Sequence, residues 1–422
     1  MVPACFVIYD LEVENMNMEL VKEKLQKYDQ MQVLRFFDEL SDESKEKLAD
    51  EIMNTDFEVL KAISEKGNSE RGVISPIKSM ELDEIEKNEE KYREIGIDAI
   101  KKGEVAAVLL AGGMGTRLGS DDPKGMYDIG ITHPVYIFER LIRNLQDVVK
   151  EAGANIPLYI MTSDKNHDKT VNFLKEHDYF GYDSNYIEFF KQEMAPASDY
   201  EGHILLEEKD KMSTSPNGNG GWYVSMYKAG LAQKALEKGI KWINIFAVDN
   251  VLQRIADPVF VGAVKDGGFV SGSKVVRKVA RDEKVGAMCL EDGRPSIVEY
   301  YEMTDELMDA KDEKGNPAYN FGVILNYLFN INELERIREE KLTLHVVEKK
   351  IPYINEKAEL VKPEEPNGYK FELLVLDMIH EMENNLPFEV KREYEFAPIK
   401  NKTGADSVES ARELCKKNGI EL

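Results

Sequence analysis

The residues with the clearest chemical potential lie between Leu109 and Tyr127. They read Leu109-Leu-Ala-Gly-Gly-Met-Gly-Thr-Arg-Leu-Gly119 and then Ser120-Asp-Asp-Pro-Lys-Gly-Met-Tyr127. Gly112, Gly113 and Gly115 carry no side chain, so the backbone is free to take positive φ and to turn several amides toward one anion. Arg117 and Lys124 bring two full positive charges to the same stretch. Three glycines flanked by two cations suit a polyphosphate. Other glycine loops fail on spacing: the Walker pattern needs Gly-Lys-Ser/Thr, which is absent, and a dinucleotide fingerprint begun on Gly113 and Gly115 would place its third glycine on Leu118. A simple tight turn would leave Arg117 and Lys124 without a reason.

The elements that must position this loop follow from apolar patterning. Val105–Leu110 is a continuous apolar run, short enough for a strand buried on both faces of a parallel sheet. The loop therefore follows a strand directly and sits at the carboxyl end of the sheet, where α/β folds bind ligands. Similar runs lie at 157–161, 186–190, 243–248 and 269–276, separated by helical stretches at 137–150, 167–176 and 223–238. This alternation predicts a three-layer α/β/α core. Upstream, Leu20, Val21, Leu25 and Tyr28 recur at helical spacing, Thr55 to Glu58 has the form of a capping box, and Gly67 with Gly72 marks a break. Downstream, helices are expected over 371–382 and 406–417. The implied organisation is an N-terminal helical region over 1–102, a central α/β domain over 103–345 and a small C-terminal domain over 346–422.

Composition narrows the functional classes. The chain has 55 Lys+Arg against 79 Asp+Glu, a net charge of −24, which repels a polyanion over most of the surface and argues against nucleic acid as a partner. A small phosphorylated ligand needs only a few local lysines and amides. No apolar run reaches the length of a membrane helix, and the N-terminal patch lacks the basic region of a signal peptide, so no membrane partner is expected. Cys5, Cys289 and Cys415 are far apart, as are the six histidines; the cysteines suit a cytoplasmic location, and His167 and His177 lack a metal-ligand spacing. The oligomeric state stays open.

Beyond the loop, a series of segments falls in a recognisable order. Phe36-Phe-Asp-Glu-Leu-Ser41, Pro157-Leu-Tyr-Ile-Met-Thr-Ser163, Phe189-Phe-Lys-Gln192, Asn217-Gly-Asn-Gly-Gly221, Val248-Asp-Asn250, Val298-Glu-Tyr300, Pro366-Asn-Gly-Tyr-Lys370 and Pro398-Ile-Lys-Asn401 join Asp122-Pro-Lys-Gly-Met-Tyr127. Over roughly residues 30–412 the chain resembles the eukaryotic-type UDP-N-acetylglucosamine pyrophosphorylase branch of the sugar-nucleotide pyrophosphorylases. The resemblance implies a Rossmann-like nucleotide-diphospho-sugar transferase core. It also implies an enzyme that joins UTP and a sugar 1-phosphate, with N-acetylglucosamine 1-phosphate as the first choice, to give a UDP-sugar and pyrophosphate.

The resemblance also implies roles. Gly112, Gly113 and Gln192 would read the uracil, since an amide offers the donor and acceptor a pyrimidine edge needs, although a glutamine buried for packing accounts for the same residue. Gly218 and Asn219 would contact nucleotide and substrate, and their glycine turn can at the same time cap the helix near Trp222. Asp249, at the end of an apolar strand, would hold Mg²⁺ on the phosphates, with a helix N-cap as the plain alternative. Gly286 would approach the sugar's acyl group, Glu299 would accept from sugar hydroxyls, and Lys370 and Lys400 would bind phosphate. Arg117, Lys124 and Lys400 are the expected catalytic cations.

Two positions depart from the family pattern. Val323 ends Asn320-Phe-Gly-Val323 where the family has Asn, and its side chain cannot hydrogen-bond; a buried site that expects a polar partner loses about 1–3 kcal/mol without one. Met114 replaces the usual Gln within the loop. Val323 makes glucose 1-phosphate or galactose 1-phosphate the closest alternative substrate. A catalytically silent UDP-sugar-binding protein is the alternative from another class.

Overall fold

The protein is described by a computed structural model over residues 18–65, 71–340 and 342–422. Cys5 and Gly67 lie outside the described residues. The chain forms two compact units, each assembled from separated segments.

One unit comprises Arg71–Gln192, Gly220–Leu342 and Val375–Leu422. Its centre is a ten-stranded mixed sheet whose main path runs Ile74–Ser75, Ala287–Glu291, Phe321–Asn330, Trp242–Ala247, Val105–Leu110, Leu158–Thr162, Ile187–Lys191. The last four strands are mutually parallel, so their carboxyl ends share one edge. The expected burial on both faces holds for Val105–Leu110, all six of whose residues are buried. Val105, Ala107 and Leu109 enter one apolar cluster while Ala106, Val108 and Leu110 enter another, as the two-residue period of a strand requires.

The first cluster also takes Ile137, Leu141, Leu145 and Val148, one stripe of the helix Ile137–Ala152; the second takes Trp222 and Met226 of Trp222–Lys228. The core therefore has three layers, as the alternation predicts. The sheet is mixed rather than parallel because Phe321–Asn330 runs antiparallel to Trp242–Ala247.

The other unit comprises the described residues up to 65, Glu193–Asn219 and Thr343–Leu374. Val21, Leu25, Leu48, Ile52 and Phe57 form its core with Ile204, Leu206, Met212 and Ile354. The helix Asp42–Asn54 starts where the Ser41 hydroxyl accepts from the Ser44 amide at 3.3 Å. Its end corrects the proposed capping box. Thr55 is the C-cap of this helix, donating its hydroxyl to Glu51 O at 2.7 Å, and Asp56 accepts from the Glu58 amide at 2.9 Å instead.

Three other expectations shift. The helix expected over 223–238 is two, Trp222–Lys228 and Leu231–Glu237, because Gly230 takes φ 72° between them. The helix expected over 371–382 is Val375–Glu381, since Phe371 and Leu373 finish a strand, Gly368–Leu373, paired with Leu344–Lys349. The helix Leu82–Lys101, assigned by sequence to the N-terminal region, packs on Pro258–Asp266 of the sheet unit. Gly96 and Gly262 permit this crossing: an added Cβ would lie 1.9 Å from Pro258 O at the first and 1.8 Å from Tyr92 O at the second.

No helix among the described residues is long and apolar enough to cross a membrane.

Candidate active site

Four predicted residues meet at the carboxyl ends of the parallel strands. The loop after Val105–Leu110 begins with the Ala111 amide donating to Met161 O at 2.8 Å. It then folds back on itself, with the Gly115 amide donating to Asp122 O at 2.8 Å and the Lys124 amide to Gly113 O at 3.1 Å. Lys124 is thereby placed beside the glycines. Burial pushes its ammonium below the ordinary lysine range; the Asp249 carboxylate opposes that push, while Lys400 and Arg117 add to it. All four charged groups thus act on one locus, three cations and one carboxylate, in a chain whose net charge is −24.

Asp249 lies in the turn after Trp242–Ala247, and this turn is tightly held. Gln253 Nε2 donates to Ala247 O at 2.7 Å and to Asn250 O at 2.8 Å. Asp249 O accepts from the Ile399 amide at 2.8 Å, which brings Lys400, the next residue, to the same place. Lys400 Nζ lies 3.2 Å from Asp406 Oδ2. Among the described residues no three His, Cys, Asp or Glu side chains gather into a metal cage. A single half-buried carboxylate fits an ion that takes its remaining ligands from phosphate oxygens and water, as magnesium does.

Gln192 ends the neighbouring strand register: its amide donates to Thr162 O at 2.8 Å. A Cβ on Gly112 would stand 2.1 Å from Gln192 Nε2, so these two expected uracil readers are adjacent. Here the structure corrects the reason for the glycines. Gly112, Gly113 and Gly115 do not take positive φ; Gly119, with φ 78°, does. Gly112 is small because Gln192 occupies the space a side chain would need, whereas a Cβ on Gly113 would meet nothing within 4 Å.

Gly286, Glu299 and Val323 form a second group in the same unit. A Cβ on Gly286 would lie 3.4 Å from Glu299 Oε1 and 3.5 Å from Val323 Cγ2, and the Val323 amide donates to Gly286 O at 2.9 Å. The Glu299 turn is fixed by Glu302, whose Oε2 accepts from the Glu299 amide at 3.0 Å and from Arg71 Nη2 at 2.9 Å. Burial first, and then the Glu299 charge, push the Tyr327 hydroxyl above its ordinary range.

Gly218, Asn219 and Lys370 belong to the other unit. Gly218 needs to be glycine, with φ 90° and a Cβ position 2.3 Å from Leu373 O. Lys370 lies on the same strand as Leu373, opposite Val347. The helix Trp222–Lys228 has Gly221, from the same glycine turn, at its N-cap position, as the turn reading expects.

Two positioning residues escape the sequence reading. Asn166 precedes the helix His167–Glu176 and has the look of an N-cap, but its side chain does not cap that helix. Its Nδ2 donates to Ala111 O at 2.9 Å and its Oδ1 accepts from the Ser163 amide at 2.7 Å, which fixes the start of the glycine loop. Asn250 binds the C-terminal segment, accepting from the Ala397 amide at 2.9 Å and donating to Glu395 O at 2.7 Å. Its place after Asp249 in a quoted motif was the only signal. His167 pairs with Thr162 Oγ1 at 2.7 Å, and His177 packs on Phe173.

With this geometry established, the chain compares with known proteins as follows. The family model described as UTP–glucose-1-phosphate uridylyltransferase matches residues 55–419. The UDP-N-acetylglucosamine pyrophosphorylase of Saccharomyces cerevisiae is 38% identical over 408 residues, covering 92% of this chain and 84% of that protein. UDP-N-acetylhexosamine pyrophosphorylase-like protein 1 of Mus musculus is 35% identical over 411 residues, covering 92% and 81%. The crystal structure of the uridine diphosphate N-acetylglucosamine pyrophosphorylase from Trypanosoma brucei in complex with inhibitor superposes with a TM-score of 0.80. Its identity is 25%, over 94% of this chain and 84% of that one.

Proposed function

From the premise that this chain belongs to the UTP–glucose-1-phosphate uridylyltransferase family, we propose that it joins UTP and N-acetylglucosamine 1-phosphate into a UDP-sugar with release of pyrophosphate. The observation that carries the reading is Lys124, partly buried beside the glycine loop at the ends of the parallel strands and within electrostatic reach of the Asp249 carboxylate and of two further cations, Lys400 and Arg117. The sugar phosphate oxygen attacks the α-phosphorus of UTP in line and the pyrophosphate oxygen leaves with the bonding electrons. A phosphate monoester is already an anion near neutral pH, so no general base is needed. The residues contribute positioning and charge.

In this scheme Arg117 and Lys124 neutralise the triphosphate and Lys400 the attacking phosphate. Asp249 would hold a magnesium ion, which when bound neutralises phosphate charge. Gly112, Gly113 and Gln192 read the uracil; Gly286, Glu299 and Val323 line the sugar side. Gly218, Asn219 and Lys370 contact nucleotide, substrate and phosphate by the same family pattern. Cys289 and Cys415, both free and buried, are in keeping with a reducing cytoplasm.

Val323 favours a second reading, in which glucose 1-phosphate or galactose 1-phosphate is the sugar. Its methyl groups stand beside Gly286, where the family pattern places an amide. Pyrophosphate release from UTP and a panel of sugar 1-phosphates decides the matter. N-acetylglucosamine 1-phosphate is expected to have the highest kcat/KM, and a preference for glucose 1-phosphate would overturn that choice. Release from no pair, with UDP-sugar still bound, would make the chain a silent binder.

A further inference from the structure

Joined through Asn250 to the turn that holds Asp249 stands a charge cluster that the reaction scheme does not use. Lys274, on the strand Ser271–Arg277, has no exposed surface. Its Nζ donates to Glu395 Oε2 at 2.6 Å, Asp257 Oδ2 at 3.0 Å and Arg254 O at 3.1 Å. Arg254 completes the group, with Nε 3.2 Å from Asp257 Oδ1 and its amide donating to Glu395 Oε2 at 3.1 Å. Burial pushes the Glu395 carboxyl up, whereas Lys274 and Arg254, against the same push, hold Asp257 below the usual carboxylate range.

Stability alone is a weak reason for such a cluster, because apolar residues of similar volume commonly stabilise a core as well or better. What the cluster grips is more informative. Glu395 is the last residue of the short helix Arg392–Glu395, and its carbonyl accepts from Asn250 Nδ2 at 2.7 Å. From there the two segments are laced together. Asn250 Oδ1 accepts from the Ala397 amide at 2.9 Å, the Val251 amide donates to Ala397 O at 3.3 Å, and Asp249 O accepts from the Ile399 amide at 2.8 Å. One segment ends its lacing beside Asp249 and the other beside Lys400. The Glu395 carboxylate, gripped by Lys274, is where this lacing is tied to the sheet.

We propose that Lys274 is a positioning residue for the phosphate chemistry: through Glu395 and Asn250 it fixes the two segments that present Asp249 and Lys400. This rests on the uridylyltransferase reading. The uracil readers Gly112 and Gln192 and the sugar-side group Gly286, Glu299 and Val323 are held by other bonds, so binding of the UDP-sugar product is largely independent of it. An error of about 1 Å in the relation of phosphate ligands is enough to slow chemistry by up to about a hundredfold.

The test compares the wild type with Lys274→Met and with the charge-balanced Lys274→Met/Glu395→Gln, measuring kcat, KM, UDP-sugar affinity by calorimetry and the thermal midpoint. Lys274→Met is expected to lose at least about tenfold in kcat, with UDP-sugar affinity within about threefold of wild type. The double variant is expected to regain thermal stability lost by the single one without regaining kcat. A kcat that recovers in step with the folded fraction, or that is unchanged in folded Lys274→Met, would overturn the proposal. So would failure of the double variant to fold, since the cluster would then be a requirement of the core. A wild type that releases no pyrophosphate defeats the uridylyltransferase reading instead.

Discussion

At the scale of one residue, the proposed chemistry concentrates on Lys124. A half-buried ammonium with two further cations near it is held less firmly protonated than a free lysine, so its pKa lies below the usual value of about 10.4. The charge is therefore lost as pH rises through that lowered pKa, and phosphate neutralisation goes with it. The alkaline limb of kcat/KM, which reports the free enzyme, is expected below pH 10.4 and is expected to move upward in Lys124→Arg. Lys124→Ala should lose about a hundredfold or more in turnover with an unchanged circular dichroism spectrum, and unaltered turnover would remove Lys124 from the mechanism.

Gly112 makes a second test. In Gly112→Ala the new methyl group must displace the Gln192 amide, 2.1 Å from its position. Because that amide is the far end of a flexible side chain, the fold should survive while KM for UTP rises about tenfold or more. An unchanged KM would mean that Gln192 does not read the base. Both residues were legible in the sequence, Lys124 from its charge beside glycines and Gln192 from resemblance alone. The reason for Gly112 was not legible. Only the register across three strands, Val105–Leu110, Leu158–Thr162 and Ile187–Lys191, brings residue 192 against residue 112.

Among the elements, the parallel strands and their loops explain how distant residues converge. The three central ones, Val105–Leu110, Leu158–Thr162 and Trp242–Ala247, are short and fully buried, and two candidate residues come just after a strand end. Trp242–Ala247 delivers Asp249 and Ile187–Lys191 delivers Gln192 in the same way. The helix crossing behind them is equally specific. Tyr92 O leaves no room at Gly262, so Gly262→Val must part the helices Leu82–Lys101 and Pro258–Asp266. Overpacking of this kind is expected to cost at least about 2 kcal/mol, and a denaturant midpoint equal to wild type would show that the crossing yields without strain.

The whole molecule is built from two units, and neither follows the chain in one piece. The sequence suggests consecutive regions over 1–102, 103–345 and 346–422, whereas each compact unit draws on three separated stretches. The C-terminal stretch is divided between them. Leu386–Glu389 pairs in parallel with Ser271–Arg277, and Asn250 bonds the segment that leads to Lys400. A chain truncated after residue 345 is therefore expected to lose its cooperative unfolding transition rather than leave an intact core. A soluble truncated chain with a native thermal midpoint would contradict that. At the same scale, Cys289 and Cys415 should resist thiol reagents in the native state, because burial pushes their thiols to about 12 and about 11.

The sequence by itself determined the three-layer α/β core, the place of the glycine loop after the first buried strand, and the cations beside it. These follow from local patterns: short continuous apolar runs, their alternation with helical stretches, and charge next to glycine. The tertiary structure alone decided that the sheet is mixed and that Gly112 is small to admit Gln192. It alone showed that Asn166 turns from its helix to the loop, and that Lys274 grips the segment carrying Lys400. Each of these depends on residues tens to hundreds of positions apart meeting at one strand edge. Pairing of that kind is set by packing across the fold, which no local spacing encodes.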